Sequence, residues 1–347
     1  MKNRVRVLLP VLPVTLAVFL LGAEQPKIPA MPVAVAGNSV ASLKNGLEVY
    51  SLMGIGTKRA WNEVSNQLFS LSMKSGKWVE GRPVPGVAGR VDSAAIGAKG
   101  EVFVFGGYTI DGQGNEYTVG DVNAYVPEDH RWYRAADLPV AVDGAVIGVN
   151  HDRYIYIIGG KSKSGPVNNV QVYDAEKNTW SQGTPSPGAP VFGHAGGLAD
   201  DTIVYVDGAK KDPSGKFVVS DECWMGKIDK KDPSKIEWSK IPAHPGPGRF
   251  NIVAGAGERE HRVLFSGGTT APHNYKELGD DGKPAELSPV TFAFELHGNR
   301  WETVTEDTYD VRADERGMVF TPLGPLILGG TLKNAAVSAR VLALPKK

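Results

Sequence analysis

The sequence predicts an all-β fold, a six-bladed propeller formed by residues 24–347 as a single domain. An apolar strand that ends in a small residue pair recurs six times, a closing Trp follows it in five copies and a Tyr strand in two, and the period is near 50 residues. Helical periodicity is nearly absent from the chain. Repeats of this length, each too small to bury its own apolar faces, indicate four-stranded blades arranged around an axis.

The front half of each repeat is an apolar strand followed by a turn that requires small residues. Glycine is expected there because the chain turns sharply near the crowded axis, where φ > 0 and close backbone approach are needed. Four copies carry a Gly pair, in EVFVFGG, YIYIIGG, RVLFSGG and GPLILGG. Two weaker copies are TIVYVDG, which ends at Asp207–Gly208, and LEVYSLMGIG, with Gly54 and Gly56.

The back half of the repeat is clearest in two copies, where a Tyr strand is followed by a polar turn and a Trp. DVNAYVPEDHRW and NVQVYDAEKNTW place Tyr125 and Tyr173 48 residues apart, and Trp132 and Trp180 are separated by the same 48 residues. A Trp on the outer strand is expected to fill the wedge between neighbouring blades. The closing Trp recurs at Trp78, Trp132, Trp180, Trp238 and Trp301.

The last repeat lacks a closing strand, because the chain ends shortly after AAVSARVLAL. The N-terminal segment KIPAMPVAV, near Pro29–Val35, precedes the first blade's own inner strand. We therefore expect an N-terminal strand to complete the sixth blade and close the ring, which removes an exposed sheet edge.

Residues 1–23 have the layout of a signal peptide. MKNRVR carries three cations, and the apolar run that follows ends in small residues, so cleavage is expected after Ala23. The alternative is an uncleaved anchor, which two prolines and the modest length of the run disfavour. The prediction is a periplasmic or secreted protein with no stable membrane anchor.

Composition excludes several classes of function. Without residues 1–23 the chain is close to neutral, so it lacks the basic footprint of a nucleic-acid binder. A single cysteine, Cys223, excludes an intramolecular disulfide and is interpreted as a small buried hydrophobe. No metal or cofactor is expected, because none of the seven His forms a short-spaced ligand pair. A copper-radical oxidase is disfavoured, since Cys223 is predicted to lie away from the mouth.

Two kinds of segment should converge on one mouth of the propeller, namely the lead-in to each inner strand and the loop after each small pair. Arginines at equivalent lead-ins suit a ligand with a carboxylate, because the guanidinium offers a planar fork of donors. The alternative is that these arginines tie the blades together by bonding to loop carbonyls. The predicted ligand-binding residues are Arg90, His194, Arg249, Asn274, Tyr275 and Arg316.

The repeats resemble the kelch family of propellers over essentially the whole chain after residue 23. Several stretches are further similar to the bacterial sialic acid mutarotases (N-acetylneuraminate epimerases): MGIGTKRAWN, AGRVDSAAIGAKGEVFVFGG, DVNAYVPEDHRW and the Asn274–Tyr275 pair in a late loop. The resemblance implies a six-bladed kelch propeller in the periplasm that accelerates interconversion of sugar anomers.

The same resemblance implies a catalytic glutamate directly after the small pair of the fourth blade and an arginine a few residues later. Here that position falls at Ala209 or Lys210, and no arginine follows in AKKDPSGKFVVSDECW. The catalytic residues are therefore unknown, with Lys210 and Glu116 as candidates.

Two hypotheses follow. The first is a mutarotase-like isomerase acting on an acidic sugar, and the second is a non-catalytic propeller that binds a glycan or a protein; a homodimer is left open for either. A carboxylate and an arginine facing each other in the mouth would favour acid–base chemistry and hence the first hypothesis.

Overall fold

The computed structural model describes residues 28–86, 89–257, 261–314 and 317–345. It consists of six antiparallel sheets, each a meander whose first strand lies innermost. The six inner strands contact one another in sequence order, and the last contacts the first. The predicted six-bladed propeller is confirmed.

The first three blades are as follows. Blade 1 comprises β1 (Ser39–Leu43), β2 (Glu48–Ile55), the 3-10 helix Trp61–Glu63, β3 (Val64–Ser72) and β4 (Lys77–Glu80). Blade 2 comprises β5 (Ala94–Ala98), β6 (Glu101–Phe105), the small hairpin β7 (Tyr108–Ile110) and β8 (Glu116–Thr118), then β9 (Val122–Val126) and β10 (Arg131–Arg134). Blade 3 comprises β11 (Val146–Asn150), β12 (Tyr154–Ile158), the hairpin β13 (Lys161–Ser162) and β14 (Gly165–Pro166), then β15 (Val170–Asp174) and β16 (Thr179–Gly183).

The remaining blades repeat the plan. Blade 4 comprises β17 (Ala195–Ala199), β18 (Thr202–Val206), the hairpin β19 (Ala209–Lys211) and β20 (Phe217–Val219), then β21 (Cys223–Ile228) and β22 (Ile236–Lys240). Blade 5 comprises β23 (Val253–Gly257), β24 (Arg262–Ser266), β25 (Thr291–Glu295) and β26 (Arg300–Thr305). Blade 6 comprises β27 (Val319–Thr321), β28 (Gly324–Leu328), the 3-10 helix Lys333–Ala335 and β29 (Val341–Ala343).

The repeated Tyr and Trp are direct cross-strand partners. Tyr173 on β15 faces Trp180 on β16, and their ring centroids lie 5.0 Å apart. Trp180 also meets Phe105 of blade 2 edge-on at 5.9 Å. The outer-strand Trp therefore packs between neighbouring blades, as the repeat predicts.

Each closing Trp also ties its blade to the segment that leads into it. The indole N–H of Trp180 donates to the Ala136 carbonyl at 2.9 Å, in the linker between blades 2 and 3. The other four indoles make the equivalent bond, to Pro29, Arg82, Thr184 and Pro242. The bond from Trp78 to Pro29 shows that the N-terminal segment occupies the place of a linker between blades 6 and 1.

The N-terminal segment joins the last blade to the first. The backbone N–H groups of Met31 and Val35 donate to the Ala339 and Ser338 carbonyls at 2.7 and 3.1 Å. These bonds precede β29, and residues 28–38 contain only an isolated bridge at Ala36. The segment thus lies against the sixth blade as expected, but through single hydrogen bonds and not as a regular strand ladder.

A ring of six backbone hydrogen bonds closes the axis at one end. Ahead of each inner strand, a single residue donates its backbone N–H to the backbone carbonyl of the equivalent residue in the preceding blade. The N···O distances are 2.6 to 3.4 Å. All six have φ between 51 and 59°, a region that Gly, Asn and Asp tolerate best. The six residues, here called the axial ring, are Gly37, Asp92, Gly144, Gly193, Asn251 and Asp314.

The small pairs adopt the predicted left-handed turn. Gly160 has φ 101°, and a Cβ there would come within 2.7 Å of the Asp143 carbonyl oxygen. Blade 4 places Asp207 at the first position of its pair, with φ 63°. Asp207 Oδ2 accepts a hydrogen bond from the Arg249 backbone N–H at 2.9 Å. The same oxygen is hydrogen-bonded to His244 Nε2 at 2.8 Å. The aspartate that stands in place of the first glycine therefore holds the linker between blades 4 and 5.

Two predictions fall outside the described residues, namely the signal peptide at 1–23 and the position of Arg316. Within the part of the chain that the structure describes, no helix is long and apolar enough to cross a membrane.

Candidate functional site

A long loop of blade 5, residues 269–289, crosses the mouth above the axial ring. Its Tyr275 carbonyl accepts a hydrogen bond from Arg59 of blade 1 at 3.0 Å, and the Tyr275 ring packs against the apolar cluster that includes Val91 and Tyr108 of blade 2. On the blade 5 side, His273 meets Phe250 edge-on at 5.1 Å. The loop therefore forms a lid over the mouth, and we call residues 269–289 the lid.

Beneath the lid an arginine faces two carboxyl groups. Arg59 Nη1 lies 3.3 Å from Glu277 Oε1 and 3.5 Å from Asp314 Oδ2. Arg59 Nη2 donates to the Thr331 hydroxyl, which also lies within reach of both carboxyl groups. The side chains of Arg59, Glu277 and Asp314 are only 6%, 3% and 7% exposed. Blades 1, 5 and 6 thus place one cation against two acids in a nearly dry site.

Burial controls the protonation of this site. Burial raises the pKa of Glu277 well above its usual value, the nearby Asp314 raises it further, and Arg59 only partly offsets both effects. Burial has the opposite effect on a base and lowers the pKa of His273, because it disfavours the charged imidazolium. His273 Nε2 lies 3.3 Å from Glu277 Oε2. A carboxyl group with a raised pKa therefore lies beside a second carboxyl group, an arrangement typical of acid–base sites.

The hairpins of blades 2 and 3 form one wall of the mouth. Thr118 donates to the Asp143 carboxylate at 3.1 Å, and Lys161 Nζ lies 2.8 Å from Glu116 Oε2. Burial lowers the pKa of Lys161, but Asp143 and Glu116 more than offset it, so the pKa is raised. The predicted catalytic candidate Glu116 therefore lies at the contact between blades 2 and 3, paired with a charged lysine.

Two of the predicted arginines, Arg90 and Arg249, lie inside their blades. Arg90 is 1% exposed, and its Nη1 donates to the Gly106 and Asp121 carbonyls at 3.0 and 2.9 Å. Arg249 is equally buried and bonds to the Gly267 and Val290 carbonyls at 3.2 and 3.3 Å. These are the equivalent carbonyls of the two blades, so both arginines adopt the structural alternative that the sequence left open.

The third arginine of this set is Arg312, which the sequence did not single out. It is 1% exposed, and its Nη1 donates to the Gly329 and Arg340 carbonyls, the same pair of positions in blade 6. Burial lowers the pKa of Arg90 to about 10 and also lowers the pKa of Arg249. The guanidinium groups of Arg90 and Arg249 are used within the blades, where they satisfy backbone carbonyls, and their recognition of a carboxylate stays a prediction.

The other predicted residues occupy different places. His194 is buried and meets Tyr205 edge-on at 5.5 Å, at the end of the central channel. Asn274 is exposed, and its Oδ1 accepts the backbone N–H of Lys276 at 2.8 Å, so it shapes the turn that presents Glu277. Lys210 lies on the small hairpin of blade 4, outside the cluster around Arg59. The structure thus brings only the lid residues to the charged site.

The central channel is a separate space of about 800 Å³. Small and apolar residues of the inner strands line most of it, among them Ala94, Val146, Gly197, Ala254 and Met318. This channel is therefore distinct from the mouth, where Arg59, Glu277 and Asp314 meet beneath the lid.

The thiol has a structural setting. Cys223 is 1% exposed, and burial raises its pKa to about 12. Its neighbours His244 and Asp207 are also buried, and they bond to each other. The interpretation of Cys223 as a small buried hydrophobe is consistent with this environment.

Sequence reasoning missed Arg59 and Asp314 as site residues and assigned no role to Glu277. Arg59 lies in the MGIGTKRAWN stretch and Asp314 in a lead-in segment, so both were within motifs already noted. Nothing in the sequence joins them, because residues 59, 277 and 314 come from three different blades.

Comparison with known proteins adds one family match, two relatives and one solved structure. A model of the KLHDC2/KLHL20/DRC7 Kelch-repeats domain matches residues 38–268. N-acetylneuraminate epimerase of Haemophilus influenzae (strain PittEE) is 28% identical over 338 aligned residues, which cover 84% of each chain. Kelch-like protein 38 of Rattus norvegicus is 30% identical over 133 residues, 38% of this chain but only 22% of that protein.

The solved structure of YjhT matches with a TM-score of 0.73 and 18% sequence identity, over 90% of this chain and 95% of that one. At this identity the likeness supports the fold alone. The predicted resemblance to kelch propellers and to N-acetylneuraminate epimerase is confirmed by these matches.

Proposed function

This chain belongs to the kelch-repeat family, and we propose that it binds an acidic sugar beneath the lid and interconverts the sugar's anomers. The observation that carries the proposal is the cluster in which Arg59 faces Glu277 and Asp314 at the mouth. The relative from Haemophilus influenzae, which aligns with this chain over 84% of both proteins, is named N-acetylneuraminate epimerase. This name supports the choice of sugar.

The chemistry requires a base for the anomeric hydroxyl proton and an acid for the ring oxygen. Glu277, with its raised pKa, is suited to donate a proton to the ring oxygen. Asp314 is the candidate base, and Arg59 would stabilise the negative charge that forms on either carboxyl group or on the sugar. These groups replace the glutamate and arginine that the resemblance implies for blade 4, where Ala209 is fully buried.

The three groups are covered, so sugar entry requires the lid to move. The lid is held over blade 1 by the hydrogen bond from Arg59 to the Tyr275 carbonyl and by the 3.3 Å contact between Arg59 Nη1 and Glu277 Oε1. A sugar that accepts hydrogen bonds from Arg59 would replace both contacts. Lys210 and Lys211, on the β19–β20 hairpin of blade 4, are candidates to attract a carboxylate. We also propose export from the cytoplasm, because residues 1–23 have the layout of a signal peptide.

The test is NMR exchange spectroscopy between anomers of N-acetylneuraminate, with and without protein. Parent protein should accelerate exchange, and Glu277→Gln should remove at least nine-tenths of the acceleration, since one acid–base group typically contributes about 10²–10⁴-fold. Glu286→Gln is the matched control, because Glu286 is an exposed carboxylate in the same lid.

Three other outcomes are informative. Equal loss in both variants would assign the effect to lid conformation and contradict the role of Glu277. Binding of the sugar by calorimetry without accelerated exchange would support the non-catalytic glycan-binding alternative. Acceleration with a neutral hexose but not with N-acetylneuraminate would keep the acid–base site and overturn the acidic sugar.

A further inference from the structure

Three turns on the face opposite the mouth bring two histidines and one carboxylate together. Asp200 lies in the turn between β17 and β18 of blade 4. His261 immediately precedes β24, and His297 lies in the turn between β25 and β26, both in blade 5. His261 Nδ1 is 2.7 Å from Asp200 Oδ2, and His297 Nε2 is 3.9 Å from the same oxygen.

The two imidazole rings are stacked, with centroids 4.5 Å apart and planes 28° apart. The candidate ligand atoms of all three residues lie within 4.8 Å of one another. Two ligand atoms at about 2.1 Å from a tetrahedral metal are about 3.4 Å apart, which falls between the two nitrogen-to-oxygen distances observed here. Small side-chain rotations would therefore bring the three atoms into one coordination shell.

The backbone supports this arrangement. The Leu296 N–H donates to the His261 carbonyl at 3.0 Å, so the two turns of blade 5 are tied together. Asp200 has φ 47° in a two-residue turn between paired residues Ala199 and Thr202, which fixes the direction of its side chain. All three side chains are accessible, at 39% exposure for Asp200, 46% for His261 and 76% for His297.

We propose that Asp200, His261 and His297 form a binding site for a divalent late transition ion such as Zn²⁺. Two imidazoles and one carboxylate are a ligand set that suits zinc, and three protein ligands leave a fourth position open to water or another molecule. Because the ligands come from two blades, the ion clamps blade 4 to blade 5 at the rim. The sequence could not show this site, since the three ligands are separated by tens of residues.

The test is calorimetric titration of ZnCl₂ into the full chain after treatment with EDTA. We expect one saturable site, and at least tenfold weaker binding in both Asp200→Asn and His297→Ala. His151→Ala is the matched control. His151 lies in the β11–β12 turn of blade 3 and has one carboxylate partner, because its Nε2 is 3.3 Å from Asp201 Oδ1. Its affinity for zinc should equal that of the parent.

Thermal melts provide a second readout. Zinc at about 100 times its dissociation constant should raise the Tm of the parent by roughly 4 °C, and EDTA should reverse the rise. The Asp200→Asn and His297→Ala variants should melt like the parent without zinc and show no rise with it. Failure of the parent to bind zinc at 100 times the protein concentration, or equal weakening in His151→Ala, would overturn the proposal.

Discussion

Replacing Trp180 by alanine tests the packing that repeats around the propeller. The indole is half-buried, stacks against Tyr173 at 5.0 Å, meets Phe105 of the preceding blade at 5.9 Å and donates to the Ala136 carbonyl at 2.9 Å. A fully buried Trp→Ala change costs about 3–5 kcal/mol, and partial exposure places this one near the lower limit, at about 3 kcal/mol. Of that, the hydrogen bond contributes about 1 kcal/mol.

The Trp180→Phe variant keeps an aromatic ring but removes the N–H donor together with part of the indole surface, so its cost sets an upper limit on the contribution of the hydrogen bond. We expect it to cost about 1–2 kcal/mol, and Trp180→Ala about 3 kcal/mol. Val79→Ala is the control, since Val79 is 60% exposed on an outer strand and should change stability by less than about 0.5 kcal/mol.

The assay is differential scanning calorimetry, with the ratio of calorimetric to van't Hoff enthalpy used to check that the blades unfold together. For a chain of this length, about 3 kcal/mol corresponds to a decrease in Tm of roughly 4–5 °C. A decrease in Trp180→Ala no larger than in Val79→Ala would refute the reasoning, because the repeated Trp would then contribute nothing at the boundary between blades.

Two further predictions concern closure and protonation. Met31→Ala should lower the unfolding free energy by about 2–4 kcal/mol in denaturant titrations, because Met31 is buried against the last blade; a loss below about 1 kcal/mol would mean that the N-terminal segment does not close the ring. Because the pKa of Glu277 is raised, the folded state keeps a proton that the unfolded state releases above about pH 4.5. The parent should therefore lose stability relative to Glu277→Gln as the pH rises from about 4.5 through the folded-state pKa. A parent-to-variant difference that is constant between pH 4.5 and 9 would contradict the buried neutral acid.

The arginines illustrate how a correct alignment of repeats can still leave a role undecided. Arg90 and Arg249 do occupy equivalent lead-in positions, and Arg312 completes the set. Equivalent positions have the same structural role here, because in blades 2, 5 and 6 the arginine donates to the same two backbone carbonyls. A single ligand at the mouth does not have the periodicity of the blades. Residues that recur at equivalent positions are therefore poorer candidates for a binding site than residues that depart from the repeat.

The sequence by itself determined the number of blades and the positions of the Tyr and Trp on their strands. Those features depend on contacts between adjacent strands and adjacent blades, which are short in sequence and recur at one period, so pattern alone locates them. The axial ring was equally encoded, as one Gly, Asn or Asp before each inner strand, although the pattern is evident only once the turns are aligned.

The contacts at the mouth and at the opposite rim depend on how the blades are arranged in three dimensions. Arg59, Glu277 and Asp314 lie in blades 1, 5 and 6, and they come together because the ring returns the first blade to the last and a lid from blade 5 spans the opening. Asp200, His261 and His297 meet because the turns of two blades share one rim. The physical reason is the same in both cases: closing the chain into a ring makes neighbours of side chains whose separation in sequence carries no periodic signal.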